Sequence, residues 1–85
     1  MAPVSTKEII AKMEQLTPEN TFVYKLAETF GSGLVTIKIN PSYCSNPKEK
    51  KYIMTWDKNS ATVIRSDKPK DIASWIADRL AEAVN

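Results

Sequence analysis

Residues 51–66, KYIMTWDKNSATVIRS, consist of two runs rich in β-branched and aromatic residues on either side of Asp57-Lys58-Asn59-Ser60. Such runs favour strands, and Asn59 can take the positive-φ position of a turn, so the stretch predicts a β-hairpin with strands at about 51–57 and 60–66. A tight loop pairs Trp56 with Ala61, Met54 with Val63 and Tyr52 with Arg65. Lys51, Ile53, Thr55, Thr62 and Ile64 then share the opposite face. The bulkier set is assigned to the core, because aromatic side chains bury the most apolar area.

Residues 22–30 and 34–40 alternate in the same way around Gly31-Ser32-Gly33, which can supply positive φ where a turn needs it. A tight hairpin there puts Phe22, Tyr24, Leu26 and Phe30 on one face with Val35, Ile37 and Ile39. Slipping by one residue would invert every side chain. Glu28 is the misfit on that face, and it sits beside the turn at the wet rim of the sheet.

Outside the hairpins the apolar period changes to that of helices. Ser5 and Glu8 have capping-box spacing and open a helix over about 6–16, with Ile9, Ile10, Met13 and Leu16 in one arc and Pro18 stopping it. Ser66 or Asp67 can cap a second helix over about 69–84, with Pro69 in its first turn and Ile72, Ala73, Ile76, Ala77, Leu80, Ala83 and Val84 in one arc. Trp75 lies off that arc, with Asp71, Asp78, Arg79 and Glu82, and is expected to cover the flank of the first helix, the alternative being a contact residue that stands in solvent. Residues 41–50 have two prolines and no period, which predicts a loop with Tyr43 and Cys44 at its centre.

Helix, two hairpins and helix make a single α+β domain over residues 1–85. The architecture expected is a two-layer sandwich, a four-stranded, mainly antiparallel sheet with two helices packed on one face. Leu26, Ile37, Ile76 and Leu80 should meet in its interior. The other sheet face should present Val23, Lys25, Ala27, Thr29, Leu34 and Thr36 beside Lys38, Ile53, Thr55, Thr62 and Ile64. That surface is threonine-rich and partly apolar, which suits an interface better than a face left to water, and the last five residues are its candidate contacts.

Composition narrows the chemistry. The chain has no histidine, which removes Ser-His and Cys-His nucleophile pairs and most zinc sites. Cys44 is its only cysteine, so there is no internal disulfide, in keeping with a reducing compartment. No apolar run is long enough to span a membrane, and no Asn-x-Ser/Thr acceptor occurs, so the cytoplasm is the expected location. No metal, cofactor or catalytic constellation is implied.

The formal net charge of +2 is unevenly spread. Residues 48–70 hold Lys48, Lys50, Lys51, Lys58, Arg65, Lys68 and Lys70 against Glu49, Asp57 and Asp67, seven cations to three carboxylates. These cations, with Lys38 for phosphates and Tyr43 or Tyr52 for stacking on bases, are candidate nucleic-acid contacts.

In topology, with Lys68 and Lys70 at the start of its second helix, the chain resembles two RNA-binding classes, the double-stranded RNA-binding domains and the Alu-domain proteins of the signal recognition particle. The resemblance implies RNA as a ligand. Pro69 and Asp71 interrupt the lysines, and the 41–50 loop and fourth strand depart from the three-stranded pattern, so it assigns no family. The reading expected first is a non-enzymatic module that docks a protein partner or a second copy of itself through its open sheet face or an edge strand. Nucleic-acid binding is the alternative.

Overall fold

The computed structural model describes residues 3–58 and 61–84, without the side chains of Ala61 and Thr62. Among the described residues five strands and three α-helices follow in the order α1 (Thr6–Met13), β1 (Thr21–Lys25), β2 (Leu34–Ile39), α2 (Pro41–Ser45), β3 (Tyr52–Trp56), β4 (Ala61–Ser66), α3 (Pro69–Asp78) and β5 (Glu82–Ala83). All strand pairs are antiparallel, in the spatial order β4-β3-β2-β1-β5. The α+β class and the four expected strands are present, and β5 adds a short fifth at one edge.

Helix α1 begins where the capping box places it. Ser5 is extended and its Oγ accepts the Glu8 amide at 3.2 Å, satisfying one of the helix's free N–H groups. Ile9 and Met13 are buried, and they meet Ile72, Ala73 and Ile76 of α3 over Tyr24, Leu26, Val35, Ile37, Ile39, Tyr52 and Met54 of the sheet. Both helices therefore share one core with one sheet face.

In the first hairpin Phe22 pairs with Ile37 and Tyr24 with Val35, so the faces follow the expected parity. The turn is wider than expected. Strand β1 ends at Lys25, the Leu26 amide donates to the Gly33 carbonyl at 3.0 Å, and Glu28–Phe30 forms a 3-10 turn. Continued alternation would have driven Glu28 into the core; instead the chain turns away, leaving Glu28 and Phe30 exposed. Gly31, Ser32 and Gly33 all have positive φ. A Cβ on Gly33 would fall 2.5 Å from Asp57 Oδ1 and 2.8 Å from Trp56 Nε1, so this position has no room for a side chain.

The second hairpin carries a β-bulge. Trp56 pairs with Ala61 as expected, but Met54 pairs with Ile64 and Tyr52 with Ser66, leaving Val63 as the extra residue. A bulge re-aims the side chains beyond it. Here it carries Arg65 off the core face to stand opposite Ile53, and turns Ile64 onto the core. Asn59 and Ser60, including the positive φ expected at Asn59, lie outside the described residues.

Two further expectations are corrected. The stretch 41–50 is not wholly a loop. Asn40 caps α2, its Oδ1 accepting from the Ser42 amide at 3.1 Å and its Nδ2 donating to the Lys50 carbonyl at 2.9 Å, with Pro41 at the first helical position. Helix α3 stops at Asp78, well short of residue 84. Arg79 donates from Nη1 to the Trp75 carbonyl at 2.9 Å, and Leu80 takes a left-handed φ of 53° that turns the chain back. Leu80 is therefore 50% exposed and not in the core. The tail beyond it is held from two sides, Val4 N donating to Ala81 O at 2.9 Å and Val84 N to Val23 O at 2.9 Å. Trp75 meets Trp56 of β3 edge to face, with ring centroids 6.4 Å apart, and carries the Arg79 guanidinium 3.7 Å above its ring.

Candidate interaction face of the sheet

Neither α1 nor α3 covers the second face of the sheet, and the strand registers place its residues in cross-strand rows. One row runs Val23, Thr36, Thr55, extended past β1 by Val84, whose amide bonds to Val23. Next to it Leu34 stands opposite Lys25, which in turn faces Glu82. A shallow groove of about 400 Å³ lies here, lined by Val23, Leu34, Thr36, Thr55, Trp56 and Asp57. Leu34, which lines the groove, is 39% exposed, and Val84, beyond β1 on the same face, is 55% exposed, so this end of the face carries apolar surface in contact with water. Asp57 fixes its lip, its Oδ1 accepting from Leu34 N at 3.0 Å and its own amide donating to Leu34 O at 3.0 Å.

The second row runs Thr21, Lys38, Ile53, Arg65. Ile53 is only 7% exposed although it stands outside the core cluster that α1 and α3 build, because Lys38 and Arg65 flank it and long cationic side chains cover apolar neighbours with their methylene stems. Among the described residues no carboxylate stands within ion-pairing distance of either cation.

Of the candidate face residues, Lys38, Ile53 and Thr55 therefore occupy the open face. Thr62 lies opposite Thr55 in the ladder, and its side chain is outside the described residues. Ile64 does not belong to this face, since the bulge turns it onto the core. Val84 and Asp57 were missed: Val84 by the over-long helix, and Asp57 because it was assigned to a turn.

The candidate nucleic-acid residues divide. Lys50 and Lys51 meet Asp67 at one end of the sheet, with Lys48 in the turn before them and Lys68 and Lys70 at the start of α3. Asp67 Oδ1 accepts from Lys51 N at 2.9 Å, and its Oδ2 lies 3.6 Å from Lys50 Nζ, both side chains being over half exposed. Such an exposed pair adds little stability. Lys58 lies at the opposite end of β3. Tyr43 packs, half-buried, against the core, and Tyr52 is buried in it, so neither offers a ring for a base to stack on.

The edges are less inviting than the face. Strand β4 carries the bulge and Arg65, and β5 is two residues long, all devices that blunt strand addition. Cys44 is exposed as a free thiol. Among the described residues no group of three or more His, Cys, Asp or Glu side chains is gathered to hold a metal, and no helix is long and apolar enough to cross a membrane. The Tyr24 hydroxyl is the described group with a displaced pKa: burial pushes it above its usual 10.0, and the nearby Glu8 carboxylate adds to the rise. Compared with family models, with curated proteins and with solved structures, the chain matches none of them.

Proposed function

We propose that the chain is a non-enzymatic interaction module that docks a partner protein on the open face of its sheet, in a reducing compartment such as the cytoplasm where the Cys44 thiol stays free. The observation that supports it is the groove at Val23, Leu34, Thr36 and Thr55, apolar and exposed on a face that neither long helix covers. Docking by strand addition at an edge has less support, because both edges are blunted. The carboxylates nearest to the face and the basic end serve structure: Asp57 holds Leu34, Asp67 holds Lys51, and Asp71 accepts from Ser66 Oγ at 2.8 Å.

Affinity capture with the native chain and with Leu34→Asn, Val84→Asn tests this reading. A protein held by the native chain and lost by the variant, with unchanged thermal unfolding, is the expected result. Equal capture by both, or capture by neither, overturns it. RNA binding keeps one observation in its favour, the neighbouring Lys50 and Lys51 held at Asp67, and it requires an affinity that falls linearly with log salt, by about 0.7–0.9 per phosphate contact.

A further inference from the structure

Resting on that docking reading, we propose that the partner is an acidic polypeptide, seated as a helix. Its contact stripe is apolar at the Leu34 end of the open face and carries carboxylates at the Lys38 and Arg65 end.

The charge argument comes first. Lys38 and Arg65 stand two strands apart, about 10 Å between Cα atoms, and among the described residues neither has a carboxylate partner. Lys25 adds a third cation, with Glu82 across from it. Two copies meeting face to face would set cations against cations, at a cost that carboxylates from a different chain would turn into attraction. A single-stranded nucleic acid would find no tyrosine to stack on, since Tyr24 and Tyr52 belong to the core face and Tyr43 packs against the core, and Trp56 at the groove is already engaged, its Nε1 donating to Ser32 O at 3.1 Å and its ring meeting Trp75 edge to face. A duplex would meet the cations, but it has no use for exposed Leu34 and Val84, which a protein side chain can cover.

Dimensions supply the second argument. Leu34 and Lys38 lie on the same face of β2, four residues apart, so the apolar and cationic ends are separated by about 14 Å. A helix covers that distance in about nine residues, so one stripe reaches from the groove to the cations. The core face of the same sheet is already covered in this manner by α1 and α3.

The test is selection of displayed helical peptides, randomised along one stripe, on the immobilised full chain. Enrichment of Asp or Glu at one end of the stripe and of Leu, Ile or Phe at the other is the expected result. A selected peptide should weaken at least about tenfold against Lys38→Glu, Arg65→Glu, and recover when its own carboxylates are exchanged for lysines, a charge swap that a folding defect could not rescue. Lys38→Gln, Arg65→Gln, checked by its amide spectrum, gives a milder second reading of the same loss. Enrichment of Lys or Arg, or of apolar residues alone, overturns the acidic partner and leaves docking intact. A sedimentation dimer that dissociates on Leu34→Asn, Val84→Asn overturns it in favour of a second copy. A twenty-pair RNA duplex that binds more tightly than any selected peptide and depends on Lys38 and Arg65 overturns it in favour of RNA. No enrichment at all overturns the docking reading itself.

Discussion

Ile37 and Ile53 are isoleucines on neighbouring central strands, one on each face of the sheet, and both are buried. Their burial has different origins. Ile37 is enclosed by a second layer, with Ile9 and Met13 of α1 and Ile72 and Ile76 of α3 contributing to the same cluster. Ile53 stands outside that cluster, flanked by Lys38 and Arg65. Low exposure therefore has two meanings in this molecule. On the core face it reports packing against apolar atoms, and on the open face it reports shelter beside long cationic stems whose charged ends remain in water. A partner could displace or press down those stems without disturbing the fold.

The largest expected effects lie on the core face. Truncating Ile37 or Ile76 to Ala should cost about 2–5 kcal/mol in urea-induced unfolding, from lost burial and an unfilled cavity. Ile53→Ala should cost about 1–2 kcal/mol, because the removed methylenes face flexible chains that can settle into the space. The comparison breaks if Ile53→Ala proves as damaging as Ile37→Ala, since Ile53 would then lie under a packed layer. It sharpens if Lys38→Ala and Arg65→Ala each erode the cost of Ile53→Ala in a double-mutant cycle.

A subtler difference between the faces is their response to alkali. Tyr24, on the core face, has its folded-state pKa raised above 10.0 by burial first and by Glu8 second. Below about pH 10 the ring is neutral in both folded and unfolded chains, and its contribution is fully present. As the pH climbs above 10 the unfolded chain ionises first, so stability falls until the folded-state pKa is passed. Urea midpoints between about pH 9 and 11 should decline for the native chain and decline less for Tyr24→Phe. An equal decline in both would remove Tyr24 as its source. The open face has no described tyrosine, so Leu34 and Val84 variants should follow the native curve.

What could be read from the chain follows the same division. The core face was legible because alternation over Phe22, Tyr24, Val35 and Ile37 allows one parity, and a slip would have buried lysines. The bulge at Val63 was not, since nothing in Ala-Thr-Val-Ile-Arg marks which residue is extra. The choice was made by Arg65, which the bulge keeps off the core, and by Ser66, whose hydroxyl accepts from Lys68 N at 3.0 Å just ahead of α3; the N-cap itself is Lys68, without a side-chain cap, and not Ser66 or Asp67 as expected. The end of α3 carried no glycine or proline signal; contacts of the tail with Val4 and Val23 outweigh helix propensity and place Leu80 in a conformation that costs a non-glycine residue roughly 1–2 kcal/mol. Helix α2 was legible in principle, because Asn40-Pro41 is a cap followed by proline at the first helical position. Of the site, Lys38, Ile53 and Thr55 could be placed from alternation alone, whereas Val84 could not, for its place depends on where α3 stops.

The smallest expected effect on stability belongs to Leu34→Lys with Val84→Lys. Both side chains already meet water, at 39% and 55% exposure. Each removed apolar group gives up little buried area, and each ammonium stays solvated, so the pair should change unfolding free energy by no more than about 0.5 kcal/mol per site. Lys25 lies across from Leu34 and adds a like-charge neighbour, which places Leu34→Lys at the upper end of that range and makes it salt-sensitive. Urea unfolding at low and high salt measures this directly. If Leu34→Lys costs as much as Ile53→Ala at both salt concentrations, the groove end is a packed part of the domain and not a surface free to receive a partner. If the cost is small and vanishes in salt, the two faces differ as described, and any loss of partner binding by this variant is a loss at the interface and not of the fold.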